Sequence, residues 1–389
     1  MSKARTFRRT LGLVVALGAV GWSIAHAADV SFQPPQWELG ERNDGGYYTL
    51  VTPAGERVTE TAVIVDVGDQ YIDEENRIFE VVEVRGDEVV VEEKGTAEMP
   101  DVRDALDALE VSRRGSGSAL SAFARWLGAQ AGGGGANQTI GIYHTHNAES
   151  YVPTSGTDSK EYGDIHRVGQ ALKDAFENMG YRVIWKDDSH LPHDGEAYLR
   201  SRRTAAEISR ERPVTILDVH RDAIPRRDEY LATVDGEKMS QVRLVVGRQN
   251  QNRAANLEYA KRIKAIADQR YPGLVKGIFN ARGNYNQDLG PRMLLLEFGT
   301  HVTSLEEALR SVEPMAEVIA AAAGLPRGAG GGQVGQRGLG TAGWIVLLVV
   351  LGGAGWLVLN KEGWAGLKAG LSRWRKRLGS GGDGGDASP

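Results

Sequence analysis

Three short runs of this chain end in side chains able to perform metal-assisted hydrolysis. Ile140-Gly-Ile-Tyr-His-Thr-His-Asn-Ala-Glu-Ser150 passes from an apolar strand into His144, His146 and Glu149. Asp218-Val-His220-Arg221-Asp222 closes a second apolar run, and Leu296-Glu297-Phe298-Gly299 closes a third. His146 and Glu149 stand three apart, so a tight turn aims both at one ion. Histidine with carboxylate suits Zn²⁺, which needs three protein ligands and one open position to be catalytic. The chain has no cysteine, which excludes thiolate metal sites, catalytic thiols and disulfides. His146, Glu149 and His220 are therefore the candidate metal ligands. Glu297, alone at the end of an apolar run, is the candidate general base and acid, because burial there raises a carboxyl pKa. Arg221 can orient a substrate carboxylate or a developing oxyanion, and His144 is assigned to the substrate side. A single H-x-x-E spacing is weak evidence by itself. Three strand ends carrying His/Glu, His and Glu are a stronger signal. His166, His190, His193 and His301 have weaker claims, with His190 and His193 in a polar loop read as substrate-side or solvent-facing. Glu161 and Asp164 are rival carboxylate ligands.

The elements that must position these groups alternate. Thr139–Tyr143, Arg182–Trp185, Val214–Val219, Val242–Val246 and Met293–Phe298 read as strands. Arg167–Met179, Tyr198–Glu211 and Gln251–Gln269 carry apolar residues at helical spacing, and Ser304-Leu-Glu-Glu307 is a capping box opening a helix to about Ala323. Such alternation predicts an α/β domain over 138–325, with a mostly parallel sheet flanked by helices. Parallel strands bring their C-terminal ends to one edge, where the candidate groups converge. Residues 30–97 are predicted to form a small β-rich module with strands at Tyr47–Val51, Ala62–Val65, Ile78–Val84 and Glu88–Glu92, and no catalytic constellation. Residues 98–137 read as a linker with one short helix near 100–113.

Composition and the two ends bound the cellular setting. The 389 residues carry a net charge of −5 with no large basic block in the central region, which argues against nucleic-acid binding. Glycine is high at 50 residues, much of it in a few linker-like runs. Residues 1–27 read as a signal peptide, with a basic start, an apolar run from Leu11 to Ile24 and an Ala25-His26-Ala27 cleavage signal. A glycine-rich tether over 326–340 leads to a candidate transmembrane helix over 341–360, with Trp344 and Trp356 toward its ends. The tail 361–389 is basic, so the positive-inside rule makes it cytoplasmic and the central domain extracytoplasmic.

Tyr143-His-Thr-His-Asn-Ala-Glu-Ser-Tyr151, Val168-Gly169, Ser201-Arg202, Asp218-Val-His-Arg-Asp222, Val246-Gly247, Tyr285-Asn-Gln-Asp288 and Leu296-Glu-Phe-Gly299 closely resemble the stage II sporulation protein P family. The resemblance spans 138–325 in order. It implies a zinc-dependent peptidoglycan hydrolase that cleaves the N-acetylmuramoyl-L-alanine amide, with endopeptidase activity on stem peptides also attributed to the family. It further implies forespore engulfment as the setting, the stage II sporulation proteins D and M as partners, and a fold like zinc amidases and zinc carboxypeptidases. Residue by residue it points to His146, His220 and Glu297, with His144 as the alternative to His146. For the third ligand it leaves Glu149 against Glu161 or Asp164. A C-terminal membrane span and a β-rich front module depart from the family's expected pattern. Two other readings remain: a zinc carboxypeptidase or endopeptidase acting on stem peptides, and a catalytically inactive wall-binding scaffold.

Overall fold

The computed structural model describes residues 40–42, 44–115 and 139–325. Five strands come first: β1 (Tyr48–Val51), β2 (Arg57–Thr61), β3 (Gln70–Ile72), β4 (Arg77–Arg85) and β5 (Glu88–Thr96). Helix α1 (Arg103–Gly115) follows. Then come β6 (Thr139–Tyr143), the short α2 (Val152–Ser155), α3 (Ile165–Asn178), β7 (Arg182–Trp185), α4 (Ala197–Arg210) and β8 (Thr215–Asp222). A separate hairpin of β9 (Leu231–Val234) and β10 (Glu237–Ser240) precedes β11 (Val242–Gly247) and α5 (Arg253–Arg270). The described chain ends with β12 (Val275–Ala281), β13 (Met293–Thr300) and α6 (Leu305–Ala322). The expected signal peptide, most of the linker after α1, the glycine tether, the membrane span and the basic tail lie outside the described residues. Among the described residues no helix is long and apolar enough to cross a membrane.

One sheet runs β2-β1-β5-β4-β3-β12-β11-β13-β8-β6-β7. Its β7-β6-β8-β13 portion is parallel throughout, β11 runs antiparallel to β13, and β12 is again parallel to β11. This is the α/β architecture that the alternating pattern predicted. Strands covered on both faces read as unbroken apolar runs, and every residue of β6, β8 and β13 is buried. Alternation along the strands divides the packing. On one face Ile140, Ile142, Leu217, Val219, Leu294 and Leu296 meet the apolar stripes of α3, α5 and α6. On the other, Tyr143, Ile216 and Met293 meet Ala205 and Ile208 of α4. The capping box at the start of α6 is formed as expected, with Ser304 Oγ accepting from Glu307 N at 3.2 Å and Glu307 Oε2 accepting from Ser304 N at 2.9 Å.

The front strands extend the same sheet. β3 pairs antiparallel with β12, Ile72 facing Ile278 and Tyr71 facing Phe279. β12 was not expected from sequence, because Lys276, Gly277 and Asn280 interrupt its apolar run. Gly277 has φ of 156°, and a Cβ there would collide with the Ile72 carbonyl and the Tyr71 ring. The glycine thus permits β3 to close on the sheet edge. The expected strand over Ala62–Val65 lies instead at β2, and Val63 forms an isolated antiparallel bridge with Glu41.

A buried ion pair fastens the front strands to the strand that carries the second motif. Arg243 is fully buried; its Nη1 lies 2.7 Å from Asp222 Oδ2, and its Nη2 donates to Thr59 Oγ1 and the Glu60 carbonyl. Asp222 Oδ1 also accepts from Ala62 N at 2.9 Å, and Oδ2 from the Tyr230 hydroxyl at 2.8 Å. Removing one partner of such a pair leaves a buried, uncompensated charge. Arg243→Ala is expected to lower the unfolding free energy by about 3–5 kcal/mol, measured by urea denaturation of the purified chain.

Candidate metal centre

The centre forms where the parallel strands end. In β8, Asp218 and His220 share the alternation of Ile216, so they stand on the α4 face. In β13, Glu297 does the same, and it is the register neighbour of His220. Beyond β6 the chain turns, and this turn brings His146 and Glu149 over the same edge. Glu149 Oε1 lies 3.2 Å from His146 Nδ1 and 3.2 Å from His220 Nδ1. Glu149 Oε2 accepts the Arg221 backbone N–H at 2.8 Å. Burial alone would raise the Glu149 carboxyl, but His220, Arg221 and His146 hold it well below the usual range. The three side chains expected as metal ligands therefore meet at one carboxylate oxygen.

Two further groups complete the cluster. Glu41 Oε2 lies 2.9 Å from His146 Nδ1 and 3.9 Å from His193 Nε2. Ligand atoms of Glu41, His146, Glu149 and His193 all lie within 4.8 Å of one another. Sequence reasoning missed Glu41, since it belongs to the front segment and no local pattern ties it to residues a hundred positions away. It read His193 as substrate-side or solvent-facing, and the polar loop turns that imidazole inward, its ring 4.3 Å from the His146 ring.

The donor set fits a metal ion. His146 Nδ1 is buried between two carboxylates yet makes no hydrogen bond of acceptable direction with either. Imidazole and carboxylate donors together match a divalent cation. His220 shows the support expected of a ligand, its Nε2 lying 2.8 Å from Asp218 Oδ1 while Nδ1 faces Glu149. The Nε2–Asp218 contact is off the N–H direction, so it is ionic rather than a hydrogen bond. Asp218 is itself fixed by Thr145, which donates from N at 2.8 Å and from Oγ1 at 2.6 Å.

Glu297 stands beside this cluster with Oε2 buried and without a partner. Burial, then Asp222, Glu149 and Glu41, push its pKa well above the ordinary carboxylate value, against the pull of His220. Such a carboxyl holds its proton to higher pH than an exposed one.

His144 is placed elsewhere. It shares the alternation of Ile140 and Ile142 and lies beneath α3, against Gly169. Its Nδ1 is 2.9 Å from the Val219 carbonyl, and its Nε2 accepts from Trp185 Nε1 at 3.2 Å. Burial lowers its pKa to about 3, so it is a neutral packing residue away from the substrate side. Arg221, expected to reach substrate, is also buried. Its Nε and Nη2 donate to the carbonyls of Ser150 at 3.3 Å and Asp158 at 3.0 Å, so it fixes the loop behind Glu149. Of the rival carboxylates, Glu161 is exposed, and Asp164 binds Ser155 and Lys160. His190 is held between the His144 carbonyl and Thr204. His301 is the half-exposed residue after β13.

The cluster predicts graded metal loss. His146→Ala and His220→Ala are expected to abolish stoichiometric binding. Asp218→Asn should weaken metal affinity by about 10–100-fold, and Glu161→Ala should leave it unchanged, all measured by metal analysis and competition with a chelating dye.

The family model for stage II sporulation protein P matches residues 67–320. The match begins inside the front strands, earlier than the motifs placed the resemblance, and β3 in that interval is a strand of the common sheet. The stage II sporulation protein P of Bacillus subtilis is 32% identical over 204 residues, covering 47% of this chain and 51% of the relative. The chain thus spans about half the length of that curated relative. Among solved structures, the N-acetylmuramoyl-L-alanine amidase AmiC2 of Nostoc punctiforme is similar at a TM-score of 0.34 and 15% identity, covering 49% of this chain and 97% of that one. The CwlD amidase of Clostridioides difficile, solved in complex with the GerS lipoprotein, is similar at 0.34 and 17% identity, covering 48% and 94%. The model match over most of the described chain, with the motifs now gathered at one sheet edge, shows that this chain belongs to the stage II sporulation protein P family.

Proposed function

We propose that this protein is a zinc-dependent peptidoglycan hydrolase that cleaves the N-acetylmuramoyl-L-alanine amide, working outside the cell membrane during sporulation. The observation that carries the reading is the convergence of His146, Glu149 and His220 on one carboxylate oxygen, with a buried, unpartnered carboxyl from Glu297 beside it. His146, Glu149 and His220 would hold the ion, with Glu41 and His193 within reach of the same centre. When bound, Zn²⁺ supplies a Lewis acid that polarises an amide carbonyl and lowers the pKa of water.

The rest of the chemistry belongs to the chain. Glu297, once its proton is released, accepts one from the attacking water and returns it to the departing amide nitrogen. A carboxyl with a raised pKa is suited to both transfers near neutral pH. Asp218 keeps the His220 ring oriented through Nε2. The Arg221 backbone N–H keeps Glu149 from rotating, since it grips the oxygen that the histidines do not face. Burial of these groups strengthens every charge interaction among them.

Support for the setting comes from the chain ends and the family. The apolar N-terminal and C-terminal segments favour export and membrane attachment, and family membership favours a sporulation role. A carboxypeptidase acting on stem peptides is the second reading, but it needs a free cation to grip a terminal carboxylate. Arg221, whose Nη1 lies 3.9 Å from Glu41, donates to the Ser150 and Asp158 carbonyls rather than standing free, which favours the amidase.

Digestion of purified cell wall tests the proposal. Free N-terminal L-alanine should accumulate with no new reducing sugar ends, and chelation should stop the release. Glu297→Gln should reduce turnover by at least about 100-fold while keeping its metal. New D-alanine or cross-link amines without free L-alanine would instead support the peptidase.

A further inference from the structure

On the α3 side of the sheet lies a cleft of about 400 Å³, lined by Tyr162, His166, Gln170, Asp174 and Trp185 among others. Tyr162 is 53% exposed, more than any other aromatic side chain among the described residues. It is not a loose surface ring. It stacks on His166 with centroids 3.7 Å apart and planes 9° from parallel, which covers one face and leaves the other open. His166 is itself 1% exposed, and neither of its ring nitrogens has a hydrogen-bond partner in the protein. Unsatisfied buried polar atoms in a cleft call for a ligand or water. Gln170 and Asp174 stand on the same side, joined by a 2.7 Å hydrogen bond.

The platform is tied to the chemistry by backbone. Gly163 N donates to the Asn147 carbonyl at 2.9 Å, and Ile165 N donates to the Glu149 carbonyl at 3.1 Å. A Cβ on Gly163 would collide with the Glu149 carbonyl, so the loop bearing Tyr162 lies directly against the turn that carries the ligands.

We propose that the Tyr162–His166 stack is a sugar-binding subsite that takes one N-acetylated pyranose ring of a glycan strand. Such a ring presents a face of C–H groups, which packs on the open aromatic face. Its equatorial hydroxyl and acetamido groups lie at the rim, where Gln170 and Asp174 offer polar partners. A flat apolar ring edged by a few polar groups is the composition of a small-molecule site. An acidic or strongly basic peptide fits less well, because the cleft carries both Arg167 and Asp174. The choice of glycan rests on the wall-hydrolase reading, but binding at this subsite requires no catalysis.

The test uses the peptide-free disaccharide of N-acetylglucosamine and N-acetylmuramic acid and the full chain, read by saturation-transfer NMR. The wild-type chain should transfer saturation to the ring protons of one sugar. Tyr162→Ala should weaken binding by about tenfold, while Tyr162→Phe should stay within about twofold. Both variants should retain the metal content of the wild type. Equal binding by Tyr162→Ala and wild type, or no binding of the disaccharide by wild type, overturns the subsite. If wall digestion yields no free L-alanine while the disaccharide still binds through Tyr162, the amidase reading fails and the subsite stands.

Discussion

A fully buried carboxylate has to be satisfied on both oxygens, and Glu149 meets that demand in a way that organises the whole centre. One oxygen takes the Arg221 backbone N–H, which locks the side chain to the end of β8. The other is left between two imidazoles, one from the turn after β6 and one from β8. Everything else at the sheet edge follows from holding these groups still. The Asp218 carboxylate, fixed by Thr145, sets the His220 ring; the Arg221 guanidinium holds the loop behind Glu149; the Tyr151 hydroxyl, at 2.8 Å from the Phe298 carbonyl, joins that loop to β13. The cost of burying so many polar groups is met by pairing nearly all of them. Among the exceptions, His146 Nδ1 and Glu297 Oε2 sit where chemistry would need a free lone pair or a free proton.

Much of this was legible in the sequence, and the reason is strand alternation. An apolar run that ends in a histidine or carboxylate announces a parallel strand delivering that group to the C-terminal edge. His146, His220 and Glu297 were found that way, with Glu149 from its spacing. The same rule explains the place of His144: it lies two residues before His146 but keeps the parity of the strand interior, so it packs under α3. His146 follows a turn, where parity no longer binds it. Arg221 shows a different limit. Its neighbours in sequence are candidate site residues, but its guanidinium donates to loop carbonyls, with Nη1 3.9 Å from Glu41.

The remaining features were hidden because their meaning is non-local. β12 looks like a poor strand, since Lys276, Gly277 and Asn280 break its apolar run. Its lysine reaches Glu229 and its glycine makes room for β3, neither of which can be read from the segment itself. Glu41 is one acidic residue among many in a charged front region. The pairing of β3 with β12 and the Arg243 tie to Asp222, Thr59 and Glu60 help carry the front segment close enough for its carboxylate to reach His146.

That arrangement makes the cation and the front strands thermodynamically reciprocal. If Glu41 touches the ion, each mole of metal bound adds to the free energy holding the front segment in place, and detaching that segment lowers the affinity for metal by the same amount. On that condition, competition for the Glu41 bridge with Val63 would be felt at the centre as a change of ion occupancy.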